Sequence, residues 1–244
     1  MVIEYYAYAY NNPLYYIDPS GHAVEEPLGG GRKKPKPPEQ PDITSRREWG
    51  ALLPGTQVSL LQNPRYDEGL YSSDREWGYM DYSISNPGTP LSDVINSIVI
   101  HWEGDSSVMD NGFLGATGIR KLQEQAMENG LYDIQYHIVI DPAGVIYEGR
   151  NIGVRGAHVS GEAKNSGKIG ILWMGVSSSR GGVPTEAQFS ATVKYALYAD
   201  YAYGISEVIS HRAAEQSAGS YTECPGDSAI PFVDQLNSMV QGGQ

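Results

Sequence analysis

A chain of 244 residues with 40% hydrophobic and 19% charged side chains is long enough for one sizeable core with appendages, and ordinary in composition for a globular protein. Its formal charge of −12, from 29 acidic and 17 basic residues, argues against a nucleic-acid partner, which needs clustered Lys and Arg. The basic cluster Arg32-Lys33-Lys34-Pro35-Lys36 is bracketed by Gly and Pro and reads as a solvated linker. No stretch approaches the apolar length of a membrane span, and the start Met1-Val-Ile-Glu-Tyr-Tyr6 lacks a basic beginning followed by an apolar run. The chain is therefore expected to be made in the cytoplasm without a signal of its own, and a target beyond it would require delivery by something else.

Along the chain, Tyr5-Tyr-Ala-Tyr-Ala-Tyr-Asn-Asn-Pro-Leu-Tyr-Tyr-Ile-Asp-Pro-Ser-Gly-His22 packs tyrosines around two turn signals, Asn-Asn-Pro and Asp-Pro-Ser-Gly. The pattern resembles the end of the core of Rhs (YD-repeat) proteins, with His22 where Leu is usual. The resemblance covers residues 1–22 and implies a segment that marks where a delivery shell ends and a C-terminal effector begins. Residues 23–41, with Gly29-Gly-Gly31 and Pro35-Lys-Pro-Pro38, are too polar and too rich in Pro and Gly to bury a core and read as a linker. A second domain is expected over 42–244, interrupted at 53–91 by a Tyr-, Ser- and Gly-rich stretch of poor periodicity that reads as a surface insertion. Arg47-Glu-Trp-Gly50 recurs as Arg75-Glu-Trp-Gly78, but nothing else repeats at that interval.

Beyond this point the periodicity sharpens. Ser97-Ile-Val-Ile-His101 and Glu207-Val-Ile-Ser-His211 are short apolar runs ending in His, as buried strands that deliver a polar side chain to a sheet edge would be. His137-Ile-Val-Ile-Asp141, Pro-Ala-Gly144 and Val145-Ile-Tyr-Glu148 predict a hairpin with Pro142 and Gly144 at the second and fourth turn positions. Ile169-Gly-Ile-Leu-Trp-Met174 predicts a further buried strand. Between strands, Ile119, Leu122 and Ala126 mark a helix ending before Gly130. Thr185 and Gln188 form a capping box opening a helix with Phe189, Val193, Ala196 and Leu197 as its stripe and Gly204 as its stop. A last helix follows Asp227 with Phe232, Val233, Leu236 and Val240 inward. The fold class is α/β, a mixed central sheet flanked by helices, with an irregular N-terminal extension.

Cys224 is the chain's single cysteine, so it cannot form an internal disulfide. It is a buried small side chain, a nucleophile or a metal ligand, and the upstream His with Pro225-Gly226 directly downstream favours the third. If His101 and His211 both end strands, their imidazoles converge on one end of the sheet, where Cys224 could return through the loop after His211. Two His and one thiolate leave a tetrahedral Zn²⁺ an open position, as in catalytic zinc sites. A His at a strand end has the competing reading of a hydrogen-bonded structural residue.

The blocks Trp49-Gly-Ala51, Ile98-Val-Ile-His101, Tyr136 to Arg150, Gly156-Ala-His158, Ile169-Gly-Ile171, Ser210-His-Arg212 and Thr222-Glu-Cys-Pro-Gly-Asp227 occur in this order. Together they resemble the type 2 N-acetylmuramoyl-L-alanine amidases, which include peptidoglycan recognition proteins and phage T7-like lysozymes. The resemblance implies zinc ligands at His101, His211 and Cys224, a catalytic tyrosine at Tyr136 and an oxyanion-side hydroxyl at Thr222. A packed aromatic at a strand start is the alternative for Tyr136. His158 matches a groove position that commonly touches substrate, against a plain surface-loop histidine. Arg150 and Arg155 could bind a peptide-stem carboxylate or be ordinary solvated arginines. Trp102 stands where the family often has a second His and is counted with the substrate contacts, whereas His137 is expected in the core. His211-Arg-Ala213 departs from the usual His-Arg-Asp, and the added Glu215-Gln-Ser-Ala-Gly-Ser220 leaves the loop path open, with Asp227 as a fallback ligand.

The resemblance implies a zinc-dependent hydrolase that cleaves the amide between the N-acetylmuramic acid lactyl group and L-alanine in peptidoglycan. Behind an Rhs tail, the expectation is an antibacterial effector exported to the periplasm or cell wall of a target bacterium, with an Rhs delivery shell and an immunity protein as partners. The rival expectation is a non-catalytic peptidoglycan-binding module.

Overall fold

A computed structural model describes residues 37–55, 80–104, 114–178, 181–216 and 219–242. The Rhs-like tail at 1–22, the linker before Pro37 and residues 56–79 of the expected insertion lie outside them. Six strands are present among the described residues: β1 (Ile43–Thr44), β2 (Ser97–Trp102), β3 (Ile138–Ile140), β4 (Ile146–Glu148), β5 (Lys168–Trp173) and β6 (Glu207–Ser210). The helices are α1 (Tyr82–Ser85), α2 (Gly115–Glu128), α3 (Glu162–Asn165), α4 (Glu186–Tyr203), α5 (His211–Gln216) and α6 (Ile230–Gly242). None of them is long and apolar enough to cross a membrane.

The strands form one sheet in the order β1-β4-β3-β5-β2-β6, parallel throughout except for the β3–β4 hairpin. The continuous apolar runs of β2 and β5 follow from burial on both faces, as parallel strands require. In the hairpin, Gly144 N–H donates to Asp141 C=O at 2.9 Å and Gly144 takes φ +82°, a left-handed conformation suited to glycine. The Asp141 carboxylate accepts from the Ala143 and Val145 amides, which locks the predicted turn.

Side-chain alternation divides the sheet into two faces. One carries Ile98, Ile100, Ile138, Ile140, Ile169, Ile171 and Trp173 and is covered by α4 and α6. The other carries Val139, Leu172 and Met174 against Trp49 and the α2 residues Ile119 and Leu122. The Trp49 indole N–H donates to Glu148 C=O at 2.7 Å, and Arg46 pairs with the buried Asp133 at 3.0 Å, so the segment around the Trp49 block fastens to the hairpin and the α2–β3 connection.

The stripe expected on α4 needs correction. The Thr185–Gln188 capping box and the left-handed Gly204 cap form as expected. The buried face, however, is Gln188, Ala191, Thr192, Tyr195, Ala196, Ala199, Ala202 and Tyr203, while Phe189 and Val193 are only partly buried. Beneath it the sheet presents Trp173 and isoleucines, so alanines fill the close approach and polar side chains meet polar atoms of the strands. Trp173 Nε1–H donates to Thr192 Oγ1 at 2.8 Å, and Gln188 Nε2 donates to Ile140 C=O (2.7 Å) and Met174 C=O (3.0 Å). Phe189 turns toward α6, where its ring meets Phe232 edge to face at 5.4 Å.

The expected surface insertion at 53–91 is tied into the domain at its described ends. Gly55 N–H donates to Tyr132 C=O (2.7 Å) and Tyr82 N–H to Gly153 C=O (2.9 Å). Tyr82 is buried, and its hydroxyl accepts from Gly167 N–H at 2.8 Å. Replacing Gln188 with Ala leaves the Ile140 and Met174 carbonyls without that donor inside the core; a loss of about 2–4 kcal/mol of stability is expected, measured by denaturant unfolding.

Candidate metal centre

His101 lies near the C-terminal end of β2, and His211 directly follows β6. The β2–β6 register pairs Ile100 with Ser210, so the two histidines stand side by side at the same edge. Their ring centroids are 4.4 Å apart. Cys224 reaches the same place, with Sγ 3.9 Å from His101 Nδ1. One donor atom from each of His101, His211 and Cys224 falls within a 4.8 Å cluster, the group found among the described residues that could hold a metal ion. A tetrahedral ion with zinc-like bond lengths would draw such donors to roughly 3.4–3.6 Å, a short contraction.

Residues 211–216 and 219–224 of the lengthened loop are described. The chain passes from β6 straight into α5, so part of the added length becomes a helical turn. The return limb is latched beside the site by Arg212. Its amide donates to Cys224 C=O (2.9 Å), and its guanidinium to Glu223 C=O (2.9 Å) and the Asp227 carboxylate (2.5 Å). Asp227 is thereby corrected as a fallback ligand: its side chain is 90% exposed and engaged by Arg212. The Cys224–Pro225 peptide is cis.

Trp102 contributes mainly through its backbone, donating N–H to Cys224 Sγ at 3.4 Å. Its ring lies over Gly226, where a Cβ would come within 2.5 Å of it, so this glycine gives the Cys-Pro-Gly turn its close approach. Thr222 Oγ1 accepts from Cys224 N–H at 3.2 Å, which leaves the hydroxyl proton to be donated elsewhere.

Burial sets the protonation states. Burial, with His158 and His211 adding to it, holds His101 well below the usual histidine range. His211 is lowered too, by burial against the opposing pull of Glu215. Both imidazoles are thus neutral at pH 7, the form that offers a lone pair. The Cys224 thiol is pushed up to about 12 by burial, with Trp102 N–H and Arg212 countering only in part. A thiolate there awaits a positive charge at the cluster. Tyr136 meets the His101 ring at 5.1 Å, and burial, then Cys224 and Glu103, keeps its hydroxyl protonated.

His158 is neither a groove residue nor a surface-loop residue, which corrects both readings. It is buried, and its Nδ1 lies 3.0 Å from His101 Nε2. That contact occupies the nitrogen of His101 that faces away from Cys224 and orients the ring. Two glycines admit it: a Cβ on Gly170 would lie 2.4 Å from His158 Cδ2, and one on Gly156 would lie 2.5 Å from the same atom. His137 is buried as expected, its Nε2 2.9 Å from Val154 C=O and its Nδ1 accepting from Gly170 N–H at 3.0 Å.

Arg150 and Arg155 are also corrected, being 1% and 2% exposed. Arg150 donates to the carbonyls of Ile134 (2.8 Å), Asp133 (3.1 Å) and Arg155 (3.1 Å), so its guanidinium is spent inside the protein rather than on a ligand. Sequence reasoning missed Glu215 altogether. Its Oε1 lies 3.2 Å from His211 Nε2 at i,i+4, a spacing that would have been informative had 211–216 been read as a helix. Burial works to raise its pKa but is outweighed by hydrogen bonds from Ser160, Lys164 and His211, which hold it at about 2.

In the metal-free folded protein Cys224 should therefore resist alkylation at pH 8 and react quickly only after unfolding, read by mass spectrometry of iodoacetamide adducts. Gly170→Ala should expel His158 from its slot and destabilise the domain by about 2–3 kcal/mol in denaturant unfolding, with no comparable cost for Ala at the exposed position Asp234.

Comparison with known proteins identifies the family. Residues 91–227 match the N-acetylmuramoyl-L-alanine amidase family, a span that contains every donor of the cluster. An endolysin of Klebsiella phage KP32 is 28% identical over 102 residues, covering 42% of this chain and 61% of that protein's length. The N-acetylmuramoyl-L-alanine amidase LysC from Clostridium intestinale URNW superposes with a TM-score of 0.50 at 26% identity, over 63% of this chain and 91% of its own. The Drosophila peptidoglycan recognition protein SA shares the fold at 19% identity, with a TM-score of 0.55 over 81% of this chain and 93% of its own. By sequence and by fold, the chain belongs to the N-acetylmuramoyl-L-alanine amidase family.

Proposed function

We propose that this chain is a zinc-dependent peptidoglycan amidase that hydrolyses the bond between the lactyl group of N-acetylmuramic acid and L-alanine. The observation that carries the reading is the three-donor cluster of His101, His211 and Cys224 beside a protonated tyrosine. Two neutral imidazoles and a thiol whose proton can be displaced are a donor set that suits zinc. When bound, zinc supplies Lewis acidity, polarising a carbonyl and acidifying water at neutral pH.

The chain's own residues do the rest. His158 holds His101 by its Nε2, and the Trp102 amide holds the sulfur of Cys224. Tyr136 retains its phenolic proton and donates it in a hydrogen bond to negative charge developing on the scissile carbonyl oxygen. Thr222, its oxygen engaged by the Cys224 amide, donates its hydroxyl proton to the same oxygen. Arg150 takes no part in recognising the stem peptide, because its guanidinium is bonded to three carbonyls in the interior, and Arg155 is buried as well.

The tyrosine-rich pattern at 1–22 supports placing this amidase behind an Rhs shell as an antibacterial effector. Delivery then takes it to the periplasm or cell wall of a target cell, and the producing cell is protected by an immunity protein that covers the cleft. The linker at 23–41 separates the tail from the enzyme.

Peptidoglycan incubated with the protein and zinc should release stem peptides beginning at L-alanine, identified by mass spectrometry. Cys224→Ala and His211→Ala should abolish release and bound zinc together, and Tyr136→Phe should lower the rate by about 10²–10³-fold with zinc retained. Tight binding to intact, unreleased peptidoglycan would instead establish a recognition module. Titrated with zinc, the wild-type protein should release about one proton per ion from Cys224, read by calorimetry in buffers of different ionisation enthalpy.

A further inference from the structure

Glu215 belongs to the added segment after His211, in a stretch whose length departs from the usual pattern. It is 4% exposed, and its carboxylate is enclosed by four donors. Oε1 accepts from Ser160 N–H (2.6 Å) and lies 3.2 Å from His211 Nε2; Oε2 accepts from Ser160 Oγ–H (2.5 Å) and Lys164 Nζ (2.9 Å). Lys164 continues to Ser220 Oγ at 3.1 Å, which binds the far end of the same segment. The carboxylate therefore cannot swing away from His211 without breaking its contacts with Ser160 and with Lys164 of α3.

Glu215 is outside the donor group although it touches one of its members. It meets the His211 ring at Nε2, and a hydrogen bond donated there leaves the ring's lone pair on Nδ1. We propose that Glu215 is a positioning residue: its carboxylate fixes His211 in the Nε2–H tautomer and presents the Nδ1 lone pair to the site shared with His101 and Cys224. A carboxylate hydrogen-bonded to the remote nitrogen of a metal-binding imidazole sets the ring's tautomer and orientation and strengthens it as a ligand. His158 occupies the equivalent place behind His101, so each histidine of the cluster has its own support. The inference rests on the zinc reading for its purpose, but the tautomer can be measured without metal.

Imidazole ¹⁵N shifts in the metal-free full chain should show His211 as the Nε2–H tautomer in the wild type and in Glu215→Gln, whose amide oxygen can still accept. Glu215→Ala should give a mixture of tautomers. Zinc affinity, measured by competition with a chromophoric chelator, should fall about 10–100-fold in Glu215→Ala and less in Glu215→Gln. Lys164→Met removes the brace to Ser220 but not the contact with His211, and should leave the tautomer unchanged. The proposal is overturned if Glu215→Ala keeps the wild-type tautomer, or if Lys164→Met loses it equally, which would make the network merely structural. A wild type that takes up no zinc would end the zinc reading, while the tautomer comparison would still decide the role of Glu215.

Discussion

Parallel pairing of β2 with β5 on one side and β6 on the other is the constraint that the site depends on, because it sets two residues more than a hundred positions apart at the same level of one sheet edge. The level is specific. With Ile100 opposite Ser210, a slip of one residue would turn His101 or His211 toward the opposite face, where α4 and α6 pack on isoleucines. The same alternation that buries Ile98 and Ile100 under those helices therefore places His101 beneath Tyr136 and against His158. Hydrophobic burial on one face and the placement of the two histidines on the other are enforced by a single register.

Around that edge, most buried polar groups are answered by a partner, the outer nitrogen of His158 being an exception. His101 is backed by His158, His137 by the backbone of Val154 and Gly170, Arg150 by three carbonyls, and Glu215 by Ser160 and Lys164. The Cys224 thiol differs in that its burial disfavours the ionised form.

The strand-end histidines were legible because a short apolar run that stops at a polar residue is what a buried parallel strand looks like. The Thr185–Gln188 cap, the Asp141–Gly144 turn and the α6 stripe were legible for the same reason, being local patterns with local causes. What escaped was set by tertiary distance. Nothing near His158 signals that it will lie against His101, since that contact needs the glycines at 156 and 170 to clear a slot for the ring. Arg150 and Arg155 were misplaced because arginine is expected in water; for Arg150 three surrounding carbonyls reverse that. On α4, a stripe of large residues was the natural expectation, but a helix lying close over isoleucines and Trp173 needs small ones.

The latch at Arg212 has a consequence for how this region can change. Because its amide and guanidinium grip Cys224 and Glu223, the two ends of the lengthened segment are held together at a neck. Lengthening a bight of this kind costs little, about 0.6 kcal/mol for each doubling, and does not displace what lies at the neck. The sulfur's position is thereby set at the neck rather than by the length of the excursion, which beyond Glu215 and Ser220 can vary at exposed places such as Tyr221 while the histidine edge stays where the strands put it.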